Sequence, residues 1–143
     1  MAATVRGAIR ELLEQTMTTI DALLATPEGE LAMASSHGCA QGKDLWTLIT
    51  NDIDHEKIHT GQVLEARYES RITASPMERL IGEWLVERSR FISSLIGLTN
   101  EQFNTETAPG QWTYRVVGKH VLALEQDTLT TMAADRVKRS GQP

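Results

Sequence analysis

Apolar positions recur every three or four residues through four stretches of the chain, and alternating β-branched runs are missing, so the pattern predicts helices almost throughout. Val5, Ile9, Leu12, Leu13, Met17, Ile20, Leu23 and Leu24 form one stripe on a helix over about residues 3–25, stopped by Pro27 and Gly29. Residues 27–42 are rich in Gly, Ser and Ala and read as a loop, with a helical turn around Leu31–Ala34. A second helix is expected from Lys43 or Asp44, with Asp44 as N-cap, running through Trp46, Ile49, Ile53 and Val63 to about Tyr68. Ser75 followed by Pro76 is an N-cap with proline at the first helical position, opening a third helix that ends at Gly97. Thr99-Asn100-Glu101-Gln102 has the form of a capping box, and residues 105–111 read as a loop. The fourth helix is expected from near Trp112 into the basic tail.

Four amphipathic helices of this length predict an all-α four-helix bundle, as one domain over residues 1–143 with halves at about 3–70 and 75–139. The halves echo each other. Each is a helix, a Gly-bearing loop and a Trp-Thr pair opening a second helix, at Gly42…Trp46-Thr47 and Gly110…Trp112-Thr113. Superposing the tryptophans puts Asp54 on His120 and His59 on Glu125, which suggests a pseudo-two-fold relation. Trp46, Trp84 and Trp112 are expected to anchor the core, with the wall of a shallow ligand pocket as the sharper alternative.

Composition narrows the function classes. The formal charge is −5, from 14 basic and 19 acidic residues, which argues against a nucleic-acid footprint. Arg136, Lys138 and Arg139 cluster near the C-terminus, where a solvated helix end favours cations. A single cysteine, Cys39, suits a reducing compartment, and no run of about 18 apolar residues exists to span a bilayer. The first residues lack the apolar segment of a signal peptide. A cytoplasmic protein is expected, with no nucleic-acid or membrane partner.

The chemistry concentrates in HEKIHTGQ, residues 55–62. His55 and His59 are four apart and share a helix face, a spacing that lets two imidazoles reach one metal ion at about 2.0–2.1 Å. Asp52, His55, His59 and Gln62 continue that face. Such a pair is also common as an exposed, locally hydrogen-bonded feature. His120, among Val116, Val117, Val121 and Leu124, is either a satisfied core histidine or a third ligand, and Gly118 beside it would permit close helix approach. The literal HExxH match to zinc proteases is weak. Gly61 stands two residues after His59 rather than three, position 65 is Glu65, and no strand is evident to hold an extended peptide. Glu78, where some zinc proteases carry a glutamate ligand, is better explained as helix capping. His37 and Cys39 in SSHGC fit a loop covering one end of the bundle better than a ligand pair.

NDIDHEKIHTGQV (51–63) resembles the His-x-x-x-His-Arg-Gly-Gln stretch of the DinB-like (DinB/YfiT) superfamily, four-helix bundles in which three histidines hold a divalent metal. Glu83-Trp84-Leu85 through Leu98–Phe103 to QWTYRVVGKHVLALEQD (111–127) is similar to that family's other signature, a Trp-Ser/Thr helix start with a histidine eight residues on. The resemblance covers most of the chain. It implies His55, His59 and His120 as metal ligands, followed by Gly61 and Gln62 of the first motif. Thr60 replaces the usual arginine, Asn51 stands where some members carry another histidine, and the two halves come in reversed order.

The resemblance implies a metal-dependent enzyme acting on a small molecule, either a hydrolase or a thiol-dependent transferase. Zinc or nickel is the expected ion, with a low-molecular-weight thiol as second cofactor. Glu56 is the candidate general base, or else a partner of Lys57 or Thr60; Asp52 and Gln62 are candidates to orient the ligating imidazoles. Two other readings remain, a ligand-binding bundle without metal and a dimerisation module. A homodimer is the expected assembly, and an exposed apolar strip on the first helix would support it.

Overall fold

The computed structural model describes residues 4–40 and 42–140, with the side chains of all but Cys39 and Arg139. Among the described residues it is all-α, without a strand, and has five α-helices: α1 Val5–Ala25, α2 Leu45–Glu69, α3 Pro76–Leu95, α4 Asn100–Phe103 and α5 Tyr114–Ser140. Residue 3, the expected start of the first helix, lies outside the described residues. No described helix is long and apolar enough to cross a membrane. The chain divides into two compact units, the first ending at Thr73 and the second beginning at Ala74.

In the first unit the Thr4 hydroxyl accepts from the Gly7 N–H at 3.0 Å and starts α1. Thr26, extended ahead of Pro27, ends it. The loop that follows differs from expectation. Its helical turn lies at Glu28–Ala32 rather than 31–34, and a second 3-10 turn occupies Gly38–Ala40. Extended Pro27 sets the earlier start, and the Met33 N–H on the Glu30 carbonyl closes the turn. Ser35 N–H to the Lys43 carbonyl at 2.8 Å and Leu45 N–H to the Met33 carbonyl at 3.0 Å then fold the loop against the head of α2. Ser35 and Ala40, the two residues buried among those described, both belong to it.

In the second unit Ser75 and Glu78 form a full capping box at the head of α3: Glu78 N–H donates to Ser75 Oγ, and Ser75 N–H donates to the Glu78 carboxylate at 2.7 Å. Glu78 therefore serves as a cap. Helix α3 stops at Leu95, two residues short of Gly97, which takes φ +89° to turn the chain. Thr99 and Gln102 form the second capping box, at α4. Helix α5 begins at Tyr114, two residues later than expected, because Trp112 belongs to the preceding loop.

The echo between the halves survives in the backbone with a different register. Asp44 Oδ1 accepts from Thr47 N–H at 2.8 Å, and Thr113 Oγ1 accepts from Val116 N–H at 3.2 Å, each capping the head of a long helix. An isolated bridge ties each cap back to the preceding loop, Ala34 to Asp44 and Glu106 to Thr113, and Gly42 and Gly110 both sit at φ +76° just upstream. Aligned on the caps, Asn51 rather than Asp54 corresponds to His120, because Trp46 lies inside α2 whereas Trp112 precedes α5. The tryptophans are not buried anchors: Trp46, Trp84 and Trp112 are 60%, 48% and 54% exposed. Trp46 lies in the first turn of α2 and Trp112 in the loop before α5, whereas Trp84 is within α3.

Candidate metal centre

Helix α2 carries Asp52, His55, His59 and Gln62 along one exposed face. The His55 and His59 rings stack, with centroids 4.6 Å apart and planes inclined by 27°. His59 Nδ1 lies 2.7 Å from Gln62 Oε1. These three side chains form a ladder, because each helical side chain leans toward the N-terminus onto the residue one turn before. Among the described residues it is Gln62, not Asp52, that hydrogen-bonds an imidazole of this face.

Glu56 is exposed and lies about 100° round the helix from His55. Its expected partner Lys57 is taken by Asp54, with Nζ to Oδ1 at 2.8 Å. Residues three apart on a helix are neighbours, whereas adjacent ones diverge.

His120 lies on α5 in the second unit and is exposed rather than enclosed by its valine neighbours. It meets Trp112 in a T-shaped contact, with centroids 4.9 Å apart and planes at 64°. Trp112 is held for this contact by its own carbonyl, which accepts from the Thr107 N–H at 3.0 Å and the Thr107 hydroxyl at 2.9 Å. Gly118 serves no close approach among the described residues, since a Cβ there would meet nothing within 4 Å.

Sequence reasoning missed one polar centre. Arg88 of α3 donates to the Glu125 carboxylate of α5, and its guanidinium carbon stands 5.0 Å from the Trp84 ring centroid. Arg88 and Glu125 line a groove of about 560 Å³ within the second unit, whose other walls include Leu80, Ile81, Val121 and Leu124. The available signal was Arg88 one turn after Trp84 on an otherwise apolar face.

His37 belongs to the loop before α2, where its N–H donates to Ser35 Oγ at 3.2 Å and its carbonyl accepts from Ala40 N–H. The Cys39 side chain lies outside the described residues. The residues that could donate to a metal on this helix are His55 and His59, stacked on one face, with the His59 ring hydrogen-bonded at Nδ1. Taken separately, neither unit gathers three His, Cys, Asp or Glu side chains around one point among the described residues. No family model, curated protein or solved structure matches the chain significantly.

Proposed function

We propose that the chain is a cytoplasmic metal-dependent enzyme acting on a small molecule, a four-helix bundle of the DinB-like kind in which His55, His59 and His120 hold zinc or nickel. The observation that carries this reading is the His55–His59–Gln62 ladder, two stacked imidazoles with an amide on the rear nitrogen of one. The sequence resemblance over residues 51–63 and 111–127 adds His120 to that pair. Three neutral imidazoles are a donor set suited to such an ion.

When bound, the ion supplies Lewis acidity, favouring the deprotonated form of a water or a thiol at neutral pH. The residues do the rest. His55, His59 and His120 would hold the ion through nitrogen lone pairs. Glu56, one residue from His55 and unpaired with Lys57, takes up or returns a proton at its carboxylate. Gln62 holds His59 through Nδ1, with Asp52 on the same face of α2. Trp112 limits the rotation of His120.

The experiment for this reading is a screen of metal-loaded protein with low-molecular-weight thiols and electrophiles. Product formation that stops with chelator and returns with metal supports it; no chelator-sensitive turnover with any pair contradicts it.

A second reading rests on α1, where Leu12, Leu13, Met17 and Leu24 are each more than half exposed. This apolar stripe suits a homodimer interface, and dimerisation by itself would account for a bundle without chemistry. Light scattering decides it: a dimer that Leu12→Glu and Leu24→Glu convert to monomer supports the interface, and a wild-type monomer excludes it.

A further inference from the structure

We propose that Gln62 is a positioning residue that locks His59 in the Nδ1–H tautomer, so that His59 offers Nε2 alone to a divalent cation. The inference rests on the metal reading for the identity of the acceptor but not for the tautomer itself.

The argument begins with donor and acceptor capacity. A contact of 2.7 Å between two heteroatoms requires one hydrogen between them. The amide oxygen of Gln62 has only lone pairs, so the hydrogen must sit on His59 Nδ1. A neutral imidazole carries one N–H, which leaves the Nε2 lone pair exposed at the outer end of the ring. The spacing makes the contact local. Gln62 is three residues after His59 on α2, and its side chain leans back toward the N-terminus onto the histidine. Helix formation alone therefore sets the ring for coordination, before any metal arrives.

The stacked partner extends the consequence. With ring planes 27° apart and centroids 4.6 Å apart, rotation of His59 is limited on one side by His55 and at Nδ1 by Gln62. A ring held at two points loses little freedom on coordination, which strengthens binding. The amide is also chemically distinct from the carboxylate more often found behind a ligating histidine. It fixes direction without adding negative charge to the site.

The tautomer is read by long-range nitrogen–proton NMR correlation on the metal-free chain in mildly alkaline buffer. Wild type is expected to show His59 protonated at Nδ1. Gln62→Leu, which keeps a good helix former at an exposed position, is expected to lose that preference, and Gln62→Glu, which keeps the acceptor, to retain it. Zinc competition against a chromophoric chelator is the second readout: Gln62→Leu should weaken binding by about 10–100-fold and Gln62→Glu should restore it. Circular dichroism confirms that α2 is intact in each variant. A wild-type His59 protonated mainly at Nε2, or a Gln62→Leu variant that binds zinc as wild type does, overturns the proposal. A wild type that binds no zinc defeats the metal reading, while the tautomer measurement still decides whether Gln62 positions the ring.

Discussion

Arg88 of α3 and Glu125 of α5 form an ion pair across 37 residues of sequence, while the other described ion pairs, Lys57–Asp54, Arg90–Glu87 and Lys138–Asp135, join residues three apart. The Arg88 and Glu125 side chains are 23% and 32% exposed, and Arg88 also lies over Trp84, so solvent screens this pair less than the local ones. A double-mutant cycle with Arg88→Met and Glu125→Gln is expected to give a coupling of about 1 kcal/mol in chemical denaturation, declining as salt is raised. No coupling at low salt would contradict the pairing of α3 with α5.

Gly97 and Gly118 should respond in opposite directions to the same change. A Cβ meets nothing within 4 Å at either, so the backbone decides. Gly97 sits at φ +89° after α3, where alanine is strained, and Gly97→Ala should destabilise by about 1 kcal/mol or more. Gly118 lies inside α5, where alanine loses less entropy, and Gly118→Ala should stabilise by about 0.5–1 kcal/mol. Denaturation midpoints of the two variants compare them directly.

Asp44 gives the fold a pH dependence of known sign. Hydrogen bonding from the Thr47 side chain, and then from its backbone N–H, holds the Asp44 carboxyl below the usual carboxylate range. A group whose folded value is lowered contributes stability above its ordinary value, and loses it as pH falls through the folded one. Wild type should therefore lose helical stability below about pH 4 more steeply than Asp44→Asn, which caps without titrating. Thermal melts at matched pH values measure this; parallel curves would remove the role of Asp44.

Helix heads were legible because their signals are local. Asp44, Ser75 and Thr99 each cap within three residues of themselves, so sequence locates the heads of α2 and α3 and the capping box at Thr99, although the short helix α4 behind that box was not among the four expected. The loop over residues 27–42 was not, since the Ser35–Lys43 and Leu45–Met33 bonds use backbone atoms that every residue carries. The same divide runs through the candidate site. The His55–His59–Gln62 ladder follows from spacings of four and three, whereas Trp112 on His120 depends on how a loop returns to a helix head. Arg88 with Glu125 depends on how α3 meets α5, which no local pattern encodes.

Glu56 separates catalysis from binding. As a proton-transferring group beside the ligands rather than among them, Glu56→Gln should leave metal affinity unchanged. It should reduce any chelator-sensitive turnover by about a hundredfold or more. Unchanged turnover would reduce Glu56 to a solvated residue of α2.

The most direct measurement is metal content per chain after zinc or nickel loading and exhaustive dialysis, for wild type and for His55→Ala, His59→Ala and His120→Ala. One ion per chain in wild type, lost in all three variants while circular dichroism shows intact helices, is the predicted result. A wild type that retains no ion, or a His120→Ala variant that holds it as wild type does, would contradict the three-histidine centre.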